Sequence, residues 1–161
     1  MEWNSKKTTK IVLKGNIELS EHVSIGQGSA IEVSAGAELF LGKGFNCTGN
    51  TTIIVKHKIS FLENVLVSWN TLFMDSDSHT IYNGKGEILN EGRPIVIHKN
   101  VWIGCNTTVL KGVVIQEGCI VGANSVLNKK IEKERCVIVG NPGRVVKENI
   151  DWKYEVPLLE E

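Results

Sequence analysis

Residues 97–121 read Ile97-His-Lys-Asn-Val-Trp-Ile-Gly-Cys-Asn-Thr-Thr-Val-Leu-Lys-Gly-Val-Val-Ile-Gln-Glu-Gly-Cys-Ile-Val121, and they repeat with a period of six. An aliphatic side chain stands at every sixth position, at Ile97, Ile103, Val109, Ile115, Val121 and Leu127. The series lapses at Lys133 and resumes at Val139 and Val145. A period of six fits neither an α-helix nor an alternating strand that ends in a hairpin. It predicts short parallel strands joined by turns, with three strands to a coil of about 18 residues.

The same series extends into the first half of the chain. Its apolar positions there are Leu13, Leu19, Ile25, Ile31, Ala37, Val55, Phe61, Val67 and Phe73. Lys43 and Gly49 interrupt it. Leu13 and Ile97 are separated by fourteen whole periods, which predicts that the series crosses the intervening region without a shift. Stacked coils would place these side chains in one interior column, so the expected fold is an all-β parallel β-helix solenoid.

Two segments depart from the series. Residues 80–96 carry three glycines, a proline and mixed charges, which predicts a loop excursion directly after His79. The segment 146–161 has apolar side chains at Val146, Ile150 and Tyr154, and this spacing of four predicts a short amphipathic helix that caps the open end of the solenoid. We therefore expect a β-helix domain over residues 1–145, followed by a capping helix and tail.

Composition narrows the classes of partner. The 161 residues include 18 basic and 18 acidic side chains, so the net charge favours neither nucleic acid nor an anionic membrane. The start lacks an apolar signal segment, and no stretch approaches the roughly 20 apolar residues that span a bilayer. A cytoplasmic location is expected. Four cysteines form no C-x-x-C pair, so no metal site is predicted; they are Cys47, Cys105, Cys119 and Cys136.

His79 is the candidate general base. It follows Asp75 and Asp77 in Asp-Ser-Asp-Ser-His, and a carboxylate beside a histidine can fix the ring tautomer and stabilise the imidazolium. The alternative is a polar turn with His79 in an inward slot of the solenoid. Its position at the start of a long excursion favours a functional role, because solenoid insertions tend to build the binding face.

A second group of candidates lies beyond the excursion. Trp102 flanks an inward position and is expected to point outward, against another subunit or beside a thioester. Residues three periods apart would stack on one edge of the prism, which aligns the pairs Gly104-Cys105, Gly122-Ala123 and Gly140-Asn141 in a column of small residues. The same spacing relates four basic residues that form either a phosphate-binding ladder or a solvated edge, namely Arg93, Lys111, Lys129 and Lys147.

Four motifs together resemble the hexapeptide-repeat acetyltransferases, especially those that modify maltose, serine and capsule sugars. They are Asp75-Ser-Asp-Ser-His79, Ile97-His-Lys-Asn-Val-Trp-Ile-Gly104, Gly122-Ala-Asn-Ser-Val126 and Gly140-Asn-Pro-Gly-Arg144. The resemblance implies a left-handed β-helix, a homotrimer, acetyl-CoA as donor, no metal, and a small, sugar-based acceptor whose hydroxyl or amine is deprotonated by His79. It assigns donor binding to Trp102, Gly104, Cys105, Ala123, Lys129, Arg144 and Lys147. Asn46 corresponds loosely to the acceptor-contacting asparagine of the maltose enzymes, but no aspartate stands in the stretch that matches their acceptor-contacting aspartate. Gly143 replaces the alanine that is usual in the last motif.

Other readings of the same residues differ in what they require. A metalloenzyme similar to the γ-type carbonic anhydrases needs three histidines at subunit interfaces, and the four histidines here lack that family's close pair. A non-catalytic β-helix binding module predicts no affinity for acetyl-CoA. Covalent catalysis through Cys105 would need a group that activates its thiol, and none stands nearby in sequence.

Overall fold

The computed structural model describes residues 7–154, which form eighteen short β-strands and no helix. The strands build three sheets, the faces A, B and C of a triangular prism. Face A contains β1 (Lys10–Leu13), β4 (Ala30–Val33), β7 (Thr52–Val55), β10 (Leu72–Met74), β13 (Thr108–Leu110) and β16 (Val126–Leu127). Face B contains β2 (Asn16–Leu19), β5 (Glu38–Leu41), β8 (Lys58–Phe61), β11 (Ile95–Ile97) and β14 (Val114–Ile115). Face C contains β3 (Ser24–Ile25), β6 (Asn46–Cys47), β9 (Leu66–Val67), β12 (Trp102–Ile103), β15 (Ile120–Val121), β17 (Val137–Val139) and β18 (Arg144–Lys147).

Successive strands pass from face A to B to C, so the chain winds as a solenoid and the predicted parallel β-helix is confirmed. We call its three edges the A–B, B–C and C–A corners. Every strand pair is parallel except β17 with β18. In the second half the predicted coil of three periods is present, since Trp102 lies opposite Ile120 and Val96 lies opposite Val114.

The first half does not follow the same period. Ile31 lies opposite Ile53, which in turn lies opposite Phe73, so both of these coils are longer than three periods of six. Fourteen uniform periods from Leu13 on face A would end on face C, whereas Ile97 lies on face B. The prediction of an unshifted series across the chain was therefore wrong. The corners absorb the additional residues without disturbing the alternation of inward and outward side chains.

The interior is a continuous apolar column. Phe45, Phe61 and Phe73 are fully buried in the longer coils, with ring centroids 4.8 and 4.9 Å apart. The shorter coils of the second half are filled by isoleucine and valine side chains, which suit a narrower prism. Leu13 and Leu19 face inward but are 54% and 57% exposed, because β1 and β2 belong to the first described coil.

The loop excursion leaves the A–B corner after β10 and returns at β11, so it occupies residues 75–94. The predicted bounds of 80–96 were displaced at both ends. Ile95 and Ile97 are fully buried and pair with Ile59 and Phe61 on face B, so the return strand begins directly after Pro94.

The predicted C-terminal helix is absent from residues 146–154, and the rest of that segment lies outside the described residues. Strand β18 instead folds back antiparallel on β17 and pairs with the exposed edge of face C. Asn149 has a φ of 56°, a left-handed conformation that does not occur within an α-helix. Residues 148–154, here called the C-terminal strap, then run back along the B–C corner, where the Ile150 N–H donates to the Arg135 carbonyl at 2.9 Å.

Asparagines form many of the corners. Asn70, Asn106 and Asn124 stack along the C–A corner with φ values of 61°, 56° and 59°, a region that asparagine tolerates better than most residues. Gly104, by contrast, does not have a positive φ. It is needed for close approach, because a Cβ there would lie 2.7 Å from the Ala123 nitrogen.

Candidate active site

His79 lies on the excursion at the A–B corner and is exposed. It lines a concavity of about 410 Å³ together with His57, Ser76, Ser78 and Glu91. The alternative of an inward slot in the solenoid was therefore wrong. An exposed imidazole on a concave surface is accessible to a substrate hydroxyl.

Asp77 fixes the backbone that carries His79. Its Oδ2 accepts hydrogen bonds from Lys111 Nζ at 2.5 Å and from Asn90 Nδ2 at 2.8 Å. Asn90 Nδ2 also donates to the His79 carbonyl oxygen at 2.7 Å, and Lys111 Nζ donates to the Asn90 carbonyl oxygen at 2.9 Å. The hydrogen bond from Lys111, followed by that from Asn90, lowers the pKa of the Asp77 carboxyl. We call Asp77, Asn90 and Lys111 the excursion anchor.

Asp75 has a different role from the one predicted. Its side chain is fully buried and accepts three backbone N–H groups, from Lys56 at 2.8 Å, His57 at 2.8 Å and Lys58 at 2.7 Å. The carboxylate therefore closes the corner of the preceding coil. Within residues 7–154 neither Asp75 nor Asp77 makes a hydrogen bond to the His79 ring, so the predicted carboxylate–imidazole pair is not formed in the single chain.

His57 is a residue of this pocket that sequence analysis did not single out. A Cβ on Gly92 would overlap with His57 Nε2, so the imidazole packs against the glycine backbone and lines the same concavity as His79. The two histidines are distant in sequence and belong to different coils. Only knowledge of the coil lengths and of the point where the excursion leaves the corner could have brought them together.

The small residues predicted to bind the donor meet at the C–A corner. The Gly104 N–H donates to the Val121 carbonyl at 2.7 Å, which holds two adjacent coils together there. Cys105 is half-buried and Ala123 is exposed. The column does not extend to Gly140 as predicted, because the last coil is shorter than three periods and Ile120 pairs with Val137.

Trp102 lies on face C and is 37% exposed. Its Nε1 donates to Ser68 Oγ at 3.2 Å, and its ring centroid is 5.9 Å from that of Trp152 in the strap. The contact of Trp102 within its own chain is thus with a residue to which sequence analysis gave no role. Trp152 is fixed in turn by donation from its Nε1 to the Asn100 carbonyl at 2.8 Å.

The structure does not bring the residues of the predicted basic ladder together. Lys129 is exposed one coil beyond Lys111, near the A–B corner. The amine of Lys111 itself is bonded to Asp77 within the excursion anchor. Lys147 and Arg144 lie on face C, where β18 pairs them with Val137 and Val139. The prediction that Lys147 continues the ladder above Lys129 was wrong, because the antiparallel return of β18 moves it to another face.

Asn46 lies on the outer side of face C and donates from Nδ2 to the Tyr154 hydroxyl at 3.3 Å. Gly143 packs over the last strand of face A. An alanine methyl there would overlap with Leu127 Cδ2, so the glycine accommodates the leucine side chain in this chain.

The predicted site residues thus form two groups in a single chain. His79 and Lys129 lie at the A–B corner, whereas Cys105 and Ala123 lie at the C–A corner, with Trp102 on the adjoining face C. Face A separates the two corners. Among residues 7–154 no three potential metal ligands cluster, and that part of the chain contains no helix of the length and hydropathy that a bilayer crossing requires.

Comparisons with known proteins show which proteins share this fold. A family model described as "Bacterial transferase hexapeptide (six repeats)" matches residues 94–129. The galactoside O-acetyltransferase of Escherichia coli (strain K12) is 26% identical over 155 residues, which cover 91% of this chain and 74% of that enzyme. The polysialic acid O-acetyltransferase of Neisseria meningitidis is 38% identical over 122 residues, covering 70% of this chain and 57% of that enzyme.

Solved structures of related enzymes have the same fold. The crystal structure of a polysialic acid O-acetyltransferase matches with a TM-score of 0.84 at 33% identity, covering 94% of this chain and 74% of that one. A galactoside acetyltransferase in complex with coenzyme A shares the fold, with a TM-score of 0.68 at 23% identity over 81% of this chain and 64% of that one. The fold and these similarities define a left-handed β-helix transferase. The chain belongs to the hexapeptide-repeat acetyltransferase family.

Proposed function

We propose that this chain transfers an acetyl group from acetyl-CoA to a hydroxyl of a sugar-based acceptor, in a homotrimer whose sites each combine two subunits. The observation that carries the proposal is the separation of the candidate residues. His79 lies at the A–B corner and Cys105 and Ala123 at the C–A corner, so the two halves flank face A. If face A turns toward a threefold axis, the A–B corner of each subunit meets the C–A corner of the next.

The composition of face A supports this packing. Most of its outward side chains are half-buried and apolar, and these include Ile54, Leu72, Met74, Leu110 and Val126. Contiguous apolar patches of this kind are typical of subunit interfaces. Corner residues then flank the interface on both sides, where clefts between prisms would form.

The reaction needs one base and one place for the thioester. His79 takes the proton of the acceptor hydroxyl as its oxygen attacks the thioester carbonyl, and the coenzyme leaves as its thiol after receiving that proton. The Gly104 N–H is already bonded to Val121, so the Cys105 N–H, which makes no backbone hydrogen bond within residues 7–154, is the candidate donor to the oxyanion. Ala123 beside it leaves room for the pantetheine arm, and Lys129 offers a cation to its phosphates.

Cys119 and Cys136 lie with their sulfur atoms 3.4 Å apart and unbonded, and all four thiols are free. Burial, reinforced by Cys119, raises the pKa of the Cys136 thiol to about 12, which keeps it in its unreactive protonated form.

Complementation between two inactive variants tests the shared site. His79→Ala should lower turnover by about 10²- to 10⁴-fold, and Ala123→Trp should block the donor cleft, while His98→Ala on face B serves as the control. Mixed trimers made by co-expression would contain some clefts that carry neither change. We expect activity to reappear at the fraction that random mixing predicts.

The outcomes separate the parts of the proposal. Recovery in mixed trimers supports both the base and the shared cleft. Confirmed mixed trimers without recovery, or a monomer in sedimentation, would reject the shared site. Full activity of His79→Ala would reject the base, and absence of acetyl transfer to every sugar, amino sugar and sugar nucleotide in a panel would reject the proposed acceptor class.

A further inference from the structure

A concave surface larger than the one at the A–B corner lies elsewhere on the prism. It is a groove of about 740 Å³ between the C-terminal strap and the B–C corner. We call it the strap groove. The strap forms one wall with Trp152 and Tyr154, and the corner forms the other with Asn64 and Asn100. A volume of this size accommodates a ligand of two or three sugar rings.

The groove wall offers amide groups at regular intervals. Asn64 and Asn100 occupy the same corner in successive coils, with φ values of 54° and 55°, so their backbones are about 4.8 Å apart along the prism. A single bond joins them, from Asn64 Nδ2 to Asn100 Oδ1 at 3.4 Å. Each amide has two N–H donors and a carbonyl with two lone pairs, so both retain capacity for further hydrogen bonds. Repeated donor–acceptor pairs match the vicinal hydroxyls of a saccharide.

The opposite wall offers aromatic surface. Trp152 is held by its bond to the Asn100 carbonyl and by its contact with Trp102, so its indole is positioned before a ligand arrives. The Tyr154 hydroxyl is oriented by Asn46 at 3.3 Å. Rigid aromatic rings with one polar atom suit the mixed apolar and hydroxylated surface of a sugar.

The charges of the groove are balanced. Arg135 pairs with Asp151 at 3.3 Å, and Glu117 at its rim pairs with Lys99 at 3.6 Å. The remaining charged residues of the lining are Glu134 and Lys153, one of each sign. A site for a polyanion needs an excess of cations, so this groove is suited to an uncharged chain.

The geometry points to the strap groove as a subsite for a neutral oligosaccharide, through which the acceptor extends away from the reacting sugar. Trp102 and Trp152 form a continuous aromatic contact from the groove onto face C, whose other edge is the C–A corner of the proposed cleft. This inference rests on the proposed function and adds to it that the acceptor is a chain of at least two sugars rather than a monosaccharide.

Substitutions that keep the backbone intact test the subsite. Asn64→Gly removes an amide while preserving the left-handed conformation, and Asn50→Gly, at a φ of 49° on the C–A corner, is the matched control. Trp152→Ala removes the aromatic wall. The probes are neutral gluco-, galacto- and manno-oligosaccharides of one to four units, with oligosialic acid as the anionic comparison.

We expect KM to fall about tenfold from one to three neutral units, with kcat nearly constant and no such gain for oligosialic acid. Asn64→Gly and Trp152→Ala should abolish the gain, whereas Asn50→Gly should keep it. If acetyl transfer proceeds with equal KM for all lengths, the subsite is rejected and the proposed function stands. If no saccharide is acetylated, calorimetry without acetyl-CoA decides: binding of a tri- or tetrasaccharide that Asn64→Gly removes supports the subsite, and absence of binding overturns it.

Discussion

At the scale of single residues, Asp75 shows how a charged side chain can serve a corner of the solenoid. Its two oxygens accept the N–H groups of three consecutive residues, and no atom of the carboxylate is exposed to solvent. An asparagine at this position would point its side-chain NH₂ group at one or two of these backbone N–H groups, which would then lose their acceptor. We therefore expect Asp75→Asn to lower the free energy of unfolding by about 3 kcal/mol, the loss of one or two charge-assisted hydrogen bonds.

Chemical denaturation measures this change. Ser76→Ala is the matched control, because its hydroxyl accepts only from the Ser78 N–H at the surface. Retention of wild-type stability by Asp75→Asn would contradict the corner-closing role and would reopen a direct role for Asp75 in the reaction.

Cys105 provides a second test at this scale. It is half-buried at the C–A corner, whereas Cys47, Cys119 and Cys136 are fully buried. We expect iodoacetamide to modify Cys105 alone in the native protein. Acetyl-CoA should slow this modification because it would occupy the proposed donor cleft at the C–A corner. Peptide mass spectrometry identifies the modified thiol, and alkylation of all four thiols in denaturant serves as the control. Full activity of Cys105→Ala would exclude the covalent route, whereas modification that acetyl-CoA does not slow would place the donor elsewhere.

Sequence adjacency was informative for His79 and misleading for its neighbours. The exposed position of His79 follows from its place where the six-residue series breaks. Asp75 stands only four positions before it, yet the partners of Asp75 come from the previous coil. Contacts between coils depend on coil length, and coil length is set by corner residues that leave the apolar pattern unchanged. For the same reason His57 was not recognised as part of the pocket.

At the scale of elements, the excursion is held by a small set of polar contacts. Lys111 comes from the coil after the excursion, and its amine contacts both Asp77 and the Asn90 carbonyl. Lys111→Met should keep the stem of the side chain but release the excursion, so that His79 is no longer held in place. We expect kcat to fall by about 10- to 100-fold with unchanged affinity for acetyl-CoA.

The matched control for this variant is Lys43→Met, whose partner Glu21 lies with it at the B–C corner, away from the excursion. Hydrogen exchange of residues 77–91 should increase in Lys111→Met and remain unchanged in the control. Equal exchange and equal kcat in both variants would show that the excursion is held by other contacts.

The same anchor has a defined dependence on pH. Lys111 and Asn90 lower the pKa of Asp77 in the folded protein from its ordinary value of 3.8. A depressed carboxyl pKa stabilises the excursion at pH values above 3.8, and this stabilisation is lost as the pH falls through the folded-state pKa. The excursion should therefore stay ordered at pH 5 and loosen only under strongly acidic conditions, whereas Lys111→Met should be loose at both.

The elements themselves were predictable to different degrees. Strands β11 to β16 follow a strict period, so their faces could be assigned from sequence. The apolar spacing of Val146 and Ile150 is compatible with a helix, but the open edge of β17 offers backbone hydrogen bonds to whatever follows it. Strand β18 takes them, and the tertiary contact overrides the local pattern.

At the scale of the whole molecule, the proposed trimer explains why a single chain appears incomplete. Residues at two corners of one prism cannot meet across face A, yet threefold symmetry would bring equivalent corners of neighbouring chains together. The apolar outer side of face A is consistent with this. No pattern within one chain specifies how prisms pack, so sequence analysis reached the trimer only through resemblance to a family.

The stacked coils also determine how the molecule comes apart. Each coil contacts only the coil before it and the coil after it. The free energy of unfolding one coil therefore depends on how many neighbouring coils it has, and a terminal coil has only one. The first coil, with Leu13 and Leu19 open to solvent, has a neighbour on one side within the described chain. Unfolding should begin in this coil and progress coil by coil. The coils that carry the excursion have a neighbouring coil on both sides, so they should unfold later. Catalysis should then outlast the unwinding of the coil that holds Leu13 and Leu19.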